Sequence, residues 1–159
     1  MLTSLAAHSA WANRLIFAAC ADIDAAALGN ASDGYDSVIG ILNHLVQVEY
    51  AFFELAHSRE PQRTAVEDLA ALRVECAEID RAYIDYAREL DRTGATDGRF
   101  LVPWFGFEIT FAEGVIQPLT HSHKHRADVS MLLPKLGGAG VEMDFIQWLD
   151  EECGTDVGR

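Results

Sequence analysis

Apolar side chains recur every three or four residues along most of this chain, the spacing of helices that bury one face and leave the other to water. From Ser4 to Ile23 the stripe is His8, Ala12, Leu15, Ile16, Ala19 and Ile23, with Asn13, Arg14 and Asp22 on other faces. Gly29 to Gly34 carries the Gly, Asn, Asp and Ser punctuation of a loop, and Asp36 or Ser37 can cap the helix that follows. In that second helix Ile41, His44, Leu45, Val48, Phe52 and Leu55 share one stripe. Val38, Leu42, Val46 and Phe53 widen it, which predicts the most buried helix of the set. Beyond Pro61, Thr64-Ala65-Val66-Glu67 has the form of a capping box and predicts the start of a third helix. Its seam runs Leu69, Leu72, Cys76, Ile79, Tyr83, Tyr86 and Leu90, as suits an antiparallel bundle.

The pattern changes between Asp91 and Ala112. Thr93-Gly94 and Asp97-Gly98 are turn signals, and Phe105, Phe107, Ile109 and Phe111 then alternate with Gly106, Glu108, Thr110 and Ala112, the period of a half-buried strand. A long connection with extended or hairpin structure is expected here, lying across one end of the helices and walling a pocket with its aromatics. A fourth helix is predicted to start between Glu113 and Pro118, since proline suits a first turn, and to end at Leu133 or Leu136 before Gly137-Gly138. A short last helix spans Met143 to Glu151. These elements predict an all-α fold, and the length of 159 residues suits a single domain, 1–159.

Charge narrows the function. Twelve basic residues against 25 acidic ones give −13, with no basic cluster, so a phosphate backbone would be repelled and no nucleic-acid partner is expected. No apolar run approaches the ~18 residues of a membrane span, and the N-terminus lacks the basic and apolar blocks of a secretory leader. Cys20, Cys76 and Cys153 are widely separated and odd in number, which suits a reduced, cytoplasmic protein.

The candidate chemistry lies in His121-Ser122-His123-Lys124-His125. One helical turn apart and about 40° around the axis, His121 and His125 can reach one point, while His123 points the other way. Two imidazoles suit a borderline-soft divalent ion that needs a further ligand, for which His44 is the candidate. Chance gives about 0.2 such pairs for six histidines, so the pair alone carries little weight. A lone histidine on an apolar face is, besides, more often a hydrogen-bonded core residue. Asp128 could orient His125 from behind. His8, on the inward face of the first helix, reads as structural ahead of a pocket residue or outer-shell partner, and His57 reads as a surface residue at a helix end, because a di-iron site needs a second Glu-x-x-His pair that the sequence lacks. Glu49, about 140° from His44, should face elsewhere and pair with Arg14 or Arg126. No HExxH, Gly-x-Ser-x-Gly or phosphate-binding loop is present.

Three segments, in order, resemble those of the DinB-like (DinB/YfiT) family of metal-dependent enzymes: Trp11-Ala-Asn-Arg14, Asn43-His44-Leu45-Val46-Gln47-Val48-Glu49, and His121-Ser-His-Lys-His125-Arg126. Leu132-Leu133-Pro134-Lys135-Leu136-Gly137 is similar to the ending of the family's last bundle helix, although Pro134 and Gln117 replace an expected helix former and a frequent further histidine. The resemblance implies an up-down four-helix bundle with a long crossover before its last helix and a short C-terminal helix. It further implies a homodimer, with His44, His121 and His125 holding a divalent metal ion, zinc or nickel. The implied activity is that of a thiol S-transferase or thiol-dependent isomerase acting on a small molecule with a low-molecular-weight thiol. The alternatives are a metal-dependent hydrolase and a non-catalytic, stress-associated metal-binding module.

Overall fold

The structure, a computed structural model, describes residues 1–30 and 37–154; positions 31–34 of the expected loop, the alternative cap Asp36 and the side chain of Cys153 lie outside the described residues. It is mostly helical. In chain order come α1 (Leu2–Ala21), α2 (Ala25–Gly29), α3 (Val38–Ala56), α4 (Leu69–Thr93), β1 (Arg99–Val102), β2 (Phe107–Thr110), α5 (Phe111–Leu132), a 3-10 turn (Leu133–Leu136) and α6 (Phe145–Gly154). Two pairings dominate the packing, α1 on α4 and α3 on α5, and α1 also crosses α5. No described helix is long and apolar enough to cross a membrane.

The main core joins Trp11, Ile16 and Phe17 of α1 to Leu42 and Leu45 of α3, Leu72 of α4, Val129 and Leu132 of α5, and Trp148 of α6. Contrary to the sequence expectation, α1 is the most deeply buried long helix: eleven of its 20 residues are buried, against eight of 19 in α3. The reason is side-chain size. Ala6, Ser9, Ala10, Ala12 and Asn13 let α1 approach both α4 and α5 closely, whereas α3 leaves His44 exposed at its seam with α5.

Ser37 caps α3, as one of the two expected caps, its hydroxyl accepting from the Gly40 amide. The two later helix starts differ from expectation. The Thr64–Glu67 segment forms no cap: α4 starts later, at Leu69, capped by Asp68 accepting from the Ala71 amide. Asn43 explains the delay, because its side chain accepts from the Val66 amide at 2.9 Å and donates to the Val66 carbonyl at 2.6 Å. Val66 is thereby held extended against α3, where its own backbone groups cannot serve a helix. The capping box lies instead at Thr110 and Glu113, so α5 begins at Phe111 and Pro118 falls inside it.

The 91–112 connection contains the expected hairpin. β1 and β2 are antiparallel, Arg99 opposite Thr110 and Val102 opposite Phe107, around a turn in which Gly106 takes a φ of +72°. β1 is the strand laid on α3, so Phe100 and Val102 pack with Phe52 while Phe105 and Phe107 stay exposed. A groove of about 630 Å³ lies among α3, residues 62–66 and α4, where Val46, Tyr50 and Phe53 line the face of α3 turned away from His44.

Phe100 also sits directly over Gly114 of α5. A Cβ there would meet the Phe100 ring at 2.6 Å. Alanine would gain about 1 kcal/mol of helix propensity, but overpacking a ring held by Phe52 and Phe111 costs roughly 1–3 kcal/mol. Gly114→Ala is expected to lower stability by about 1 kcal/mol in urea titrations; an unchanged or higher midpoint would show that the hairpin yields.

Candidate metal centre

Both long helices that carry the candidate histidines are fixed by burial on their inner faces, which leaves the imidazoles at the seam. Leu42, Leu45 and Val46 anchor α3 on either side of His44, while Leu119, Ser122, Arg126 and Val129 anchor α5 around His121 and His125. The ring centroids of the three are 4.5 to 5.0 Å apart. One nitrogen from each lies within 4.8 Å of the others. His44 Nε2 and His121 Nε2 approach to 3.0 Å. Two zinc–nitrogen bonds of about 2.0–2.1 Å at a tetrahedral angle set their nitrogens about 3.3 Å apart, so the donor set fits such an ion. His44 is exposed and the other two half-buried, which leaves one side of the cluster open.

Electrostatics favour the neutral, ligating form. Burial, then the neighbouring His125 and His44, lower the pKa of His121 to about 4. Burial, followed by Lys124 and His44, also lowers that of His125, with Asp128 acting in the opposite sense. His125 Nδ1 lies 3.3 Å from Asp128 Oδ2. A neutral ring with its Nδ1–H toward that carboxylate keeps Nε2 free as a lone pair, the outer-shell role foreseen for Asp128. His123 points away into a cleft with His8, their ring centroids 6.4 Å apart. His57 is the exposed C-terminal cap of α3, as expected, and His8 is both packed in the interior and part of that cleft. His8 is buried and donates from Nε2 to the Met143 carbonyl at 2.9 Å, and His57 donates from Nδ1 to the Phe53 carbonyl at 2.7 Å.

Beneath the histidines lies a polar group that the sequence did not reveal. Arg126, 1% exposed, donates from Nη1 to Ser9 Oγ at 3.0 Å and to Asn13 Oδ1 at 2.8 Å. Asn13 donates in turn to Asp80 Oδ1 at 2.9 Å. Glu49, 0% exposed, reaches inward from α3 as expected from its angle to His44. It feels the charge of Arg126, and Ser122 and Asn13 face its carboxylate, yet neither oxygen has a partner at full hydrogen-bond geometry. The expected pairing with Arg126 is thus electrostatic only. Tyr83 donates to the Glu49 backbone carbonyl at 2.9 Å. Trp11 and Asn13, part of the first motif, supply a tie to Glu151 on α6 and the link between Arg126 and Asp80. The signal available in sequence was polar residues at inward positions of four separate helices, which single-helix periodicity cannot connect.

Burial, reinforced by Asp80, pushes Glu49 well above its ordinary value of 4.5, and burial also raises Asp80. A raised carboxyl binds its proton more tightly folded than unfolded, so its stabilisation is complete below about pH 4.5 and declines as pH rises through the folded value. The lowered pKa values of His8, His121 and His125 act oppositely, and that rise ends once unfolded histidines have lost their protons. In metal-free protein, stability is therefore expected to fall between about pH 7 and 8, by at most about 1.4 kcal/mol per unit. Glu49→Gln should flatten that slope in denaturant titrations; equal slopes in both proteins would count against a protonated Glu49.

A comparison with curated proteins finds no match. A comparison with family models matches the DinB family over residues 1–155. That span includes the three histidines, the buried arginine and the α1 motif, and the chain belongs to the DinB family.

Proposed function

We propose that this protein is a metal-dependent enzyme in which His44, His121 and His125 hold one divalent ion, zinc or nickel, at the seam of α3 and α5. The observation that carries the reading is the convergence of three imidazole nitrogens on a point left open on one side. In this reading α1, α3, α4 and α5 are the helices of an up-down four-helix bundle and the hairpin belongs to the crossover before the last. The whole chain is one DinB-like domain. It works in the cytoplasm, in keeping with the free thiols of Cys20 and Cys76, and as a homodimer, for which exposed Met131 and Ile146 offer apolar surface.

The chemistry we favour is transfer of a low-molecular-weight thiol to a small molecule, or a thiol-dependent isomerisation. A divalent ion held by three neutral donors keeps its full charge and supplies stabilisation for a thiolate, or for hydroxide in a hydrolase. The protein's own part is to keep His121 and His125 neutral by burial, to orient His125 through Asp128, and to admit substrate from the side of exposed His44.

Metal analysis tests the site. His44→Ala and His121→Ala should each remove one equivalent of bound ion per chain relative to wild type, and identical stoichiometry in all three proteins would sink the assignment. Asp128→Ala is expected to weaken binding 10- to 100-fold, as loss of an outer-shell partner does. For the cobalt-loaded protein, small thiols should alter the d–d bands. Unaltered bands would instead favour the non-catalytic metal-binding module.

A further inference from the structure

The buried polar group beneath the histidines repeats their arrangement with different donors. Cys76 and Asp80 stand four residues apart on α4, as His121 and His125 do on α5, and each pair faces one residue of α3. The donor atoms of Glu49, Cys76 and Asp80 lie within 4.8 Å of one another, and all three residues are buried. Asp80 spends Oδ1 on Asn13, which leaves Oδ2 turned to Cys76 Sγ at 3.9 Å. Most telling is Glu49: it is fully buried and close to this pair, and although Ser122 and Asn13 face its carboxylate, neither oxygen has a partner at full hydrogen-bond geometry. A buried carboxylate left so is costly unless a proton or a cation compensates it.

We propose that Glu49, Cys76 and Asp80 form a second, buried site for a borderline-soft divalent cation, distinct from the three-histidine site. A thiolate bond of about 2.3 Å and carboxylate bonds of about 2.0–2.2 Å set ligand atoms roughly 3.3–3.7 Å apart, so the donors, now within 4.8 Å of one another, would draw together on binding. Sulfur in the set selects zinc or cobalt over magnesium or calcium. Charge closes in both states. Without the ion, one proton on Glu49 and one on Cys76 leave Asp80 to balance Arg126. On binding, the O–H of Glu49 and the S–H of Cys76 are broken, both protons leave to solvent, and three anionic ligands face a divalent ion and one guanidinium. The exchange is one divalent cation for two protons, with no redox change. A cavity of about 120 Å³ between α1 and α4 reaches Cys76 and Asp80. Arg14 and Arg73 flank it, so loading should be slow and should quicken with salt as their repulsion is screened.

The experiment uses the full chain with the surface site removed, as the double variant His44→Ala/His121→Ala, stripped with chelator and titrated with cobalt. The expected result is one equivalent bound, a thiolate-to-cobalt charge-transfer band in the near ultraviolet, and two protons released into a weakly buffered indicator solution. Adding Cys76→Ser or Glu49→Gln should abolish all three signals while the helical circular dichroism persists. Should one of these additions fail to fold, the other decides. Should both fail, X-ray absorption of the zinc-loaded double variant decides by the presence of sulfur beside the metal. A double variant that takes up no cobalt, or takes it up without the thiolate band, would overturn the proposal and leave a carboxyl pair sharing a proton. Because the histidine site is deleted throughout, its own failure or success is read separately, from the difference between wild type and double variant.

Discussion

A single guanidinium held out of water sets the terms for the interior. Arg126 enters from α5, and each of the other long helices brings a polar group toward it: Ser9 and Asn13 from α1, Glu49 from α3, Asp80 from α4. Desolvating such a charge costs several kcal/mol, and only partners fixed in place offset it. The requirement is directional in a way that leucine packing is not. Sliding any one of these helices by a residue would strand a charge, so the network selects one register among many that apolar contacts alone would tolerate. His125 precedes Arg126, and His121 precedes Ser122, which is also buried. The geometry of the imidazoles on the outside is thus inherited from the placement of charge on the inside.

The helices were legible because their apolar spacing is local information. Every long helix foreseen from periodicity exists, and His121, His125 and His44 meet as their spacing and stripes suggested. What periodicity could not carry was tertiary competition for backbone groups. Thr64 to Glu67 has the letters of a capping box, but Asn43, more than twenty residues earlier, engages Val66 first. Pro118 reads as a first-turn residue because proline usually is one, while the reciprocal bonds of Thr110 and Glu113 start α5 at Phe111, just ahead of the expected range from Glu113 to Pro118. The burial ranking of α1 and α3 failed for a related reason: counting large apolar residues overlooks the small ones that let a helix approach two neighbours.

Glu49 shows the same limit within the site. Its angle to His44 correctly turned it away from the histidines, but nothing in one helix indicates that Cys76 and Asp80 wait on the far side. The two clusters divide the labour of α3 between an outward residue at a solvent-facing seam and an inward one in the interior. Both rest on the same backbone, held by Asn43 on one side of His44 and by Tyr83 at Glu49.

The approach of His44 and His121 has a consequence for the chain as a polymer. They are 77 residues apart in sequence, and everything between them, α4 and the hairpin included, lies within the loop they close. An ion joining them would be a reversible cross-link across almost half of the chain. Closing a loop of that length restricts chiefly the unfolded ensemble, and its entropic cost grows only slowly with further length. Ligation at the seam would therefore tie the first half of the sequence to the second, much as a disulfide does, in a protein whose two described buried thiols form no such bond.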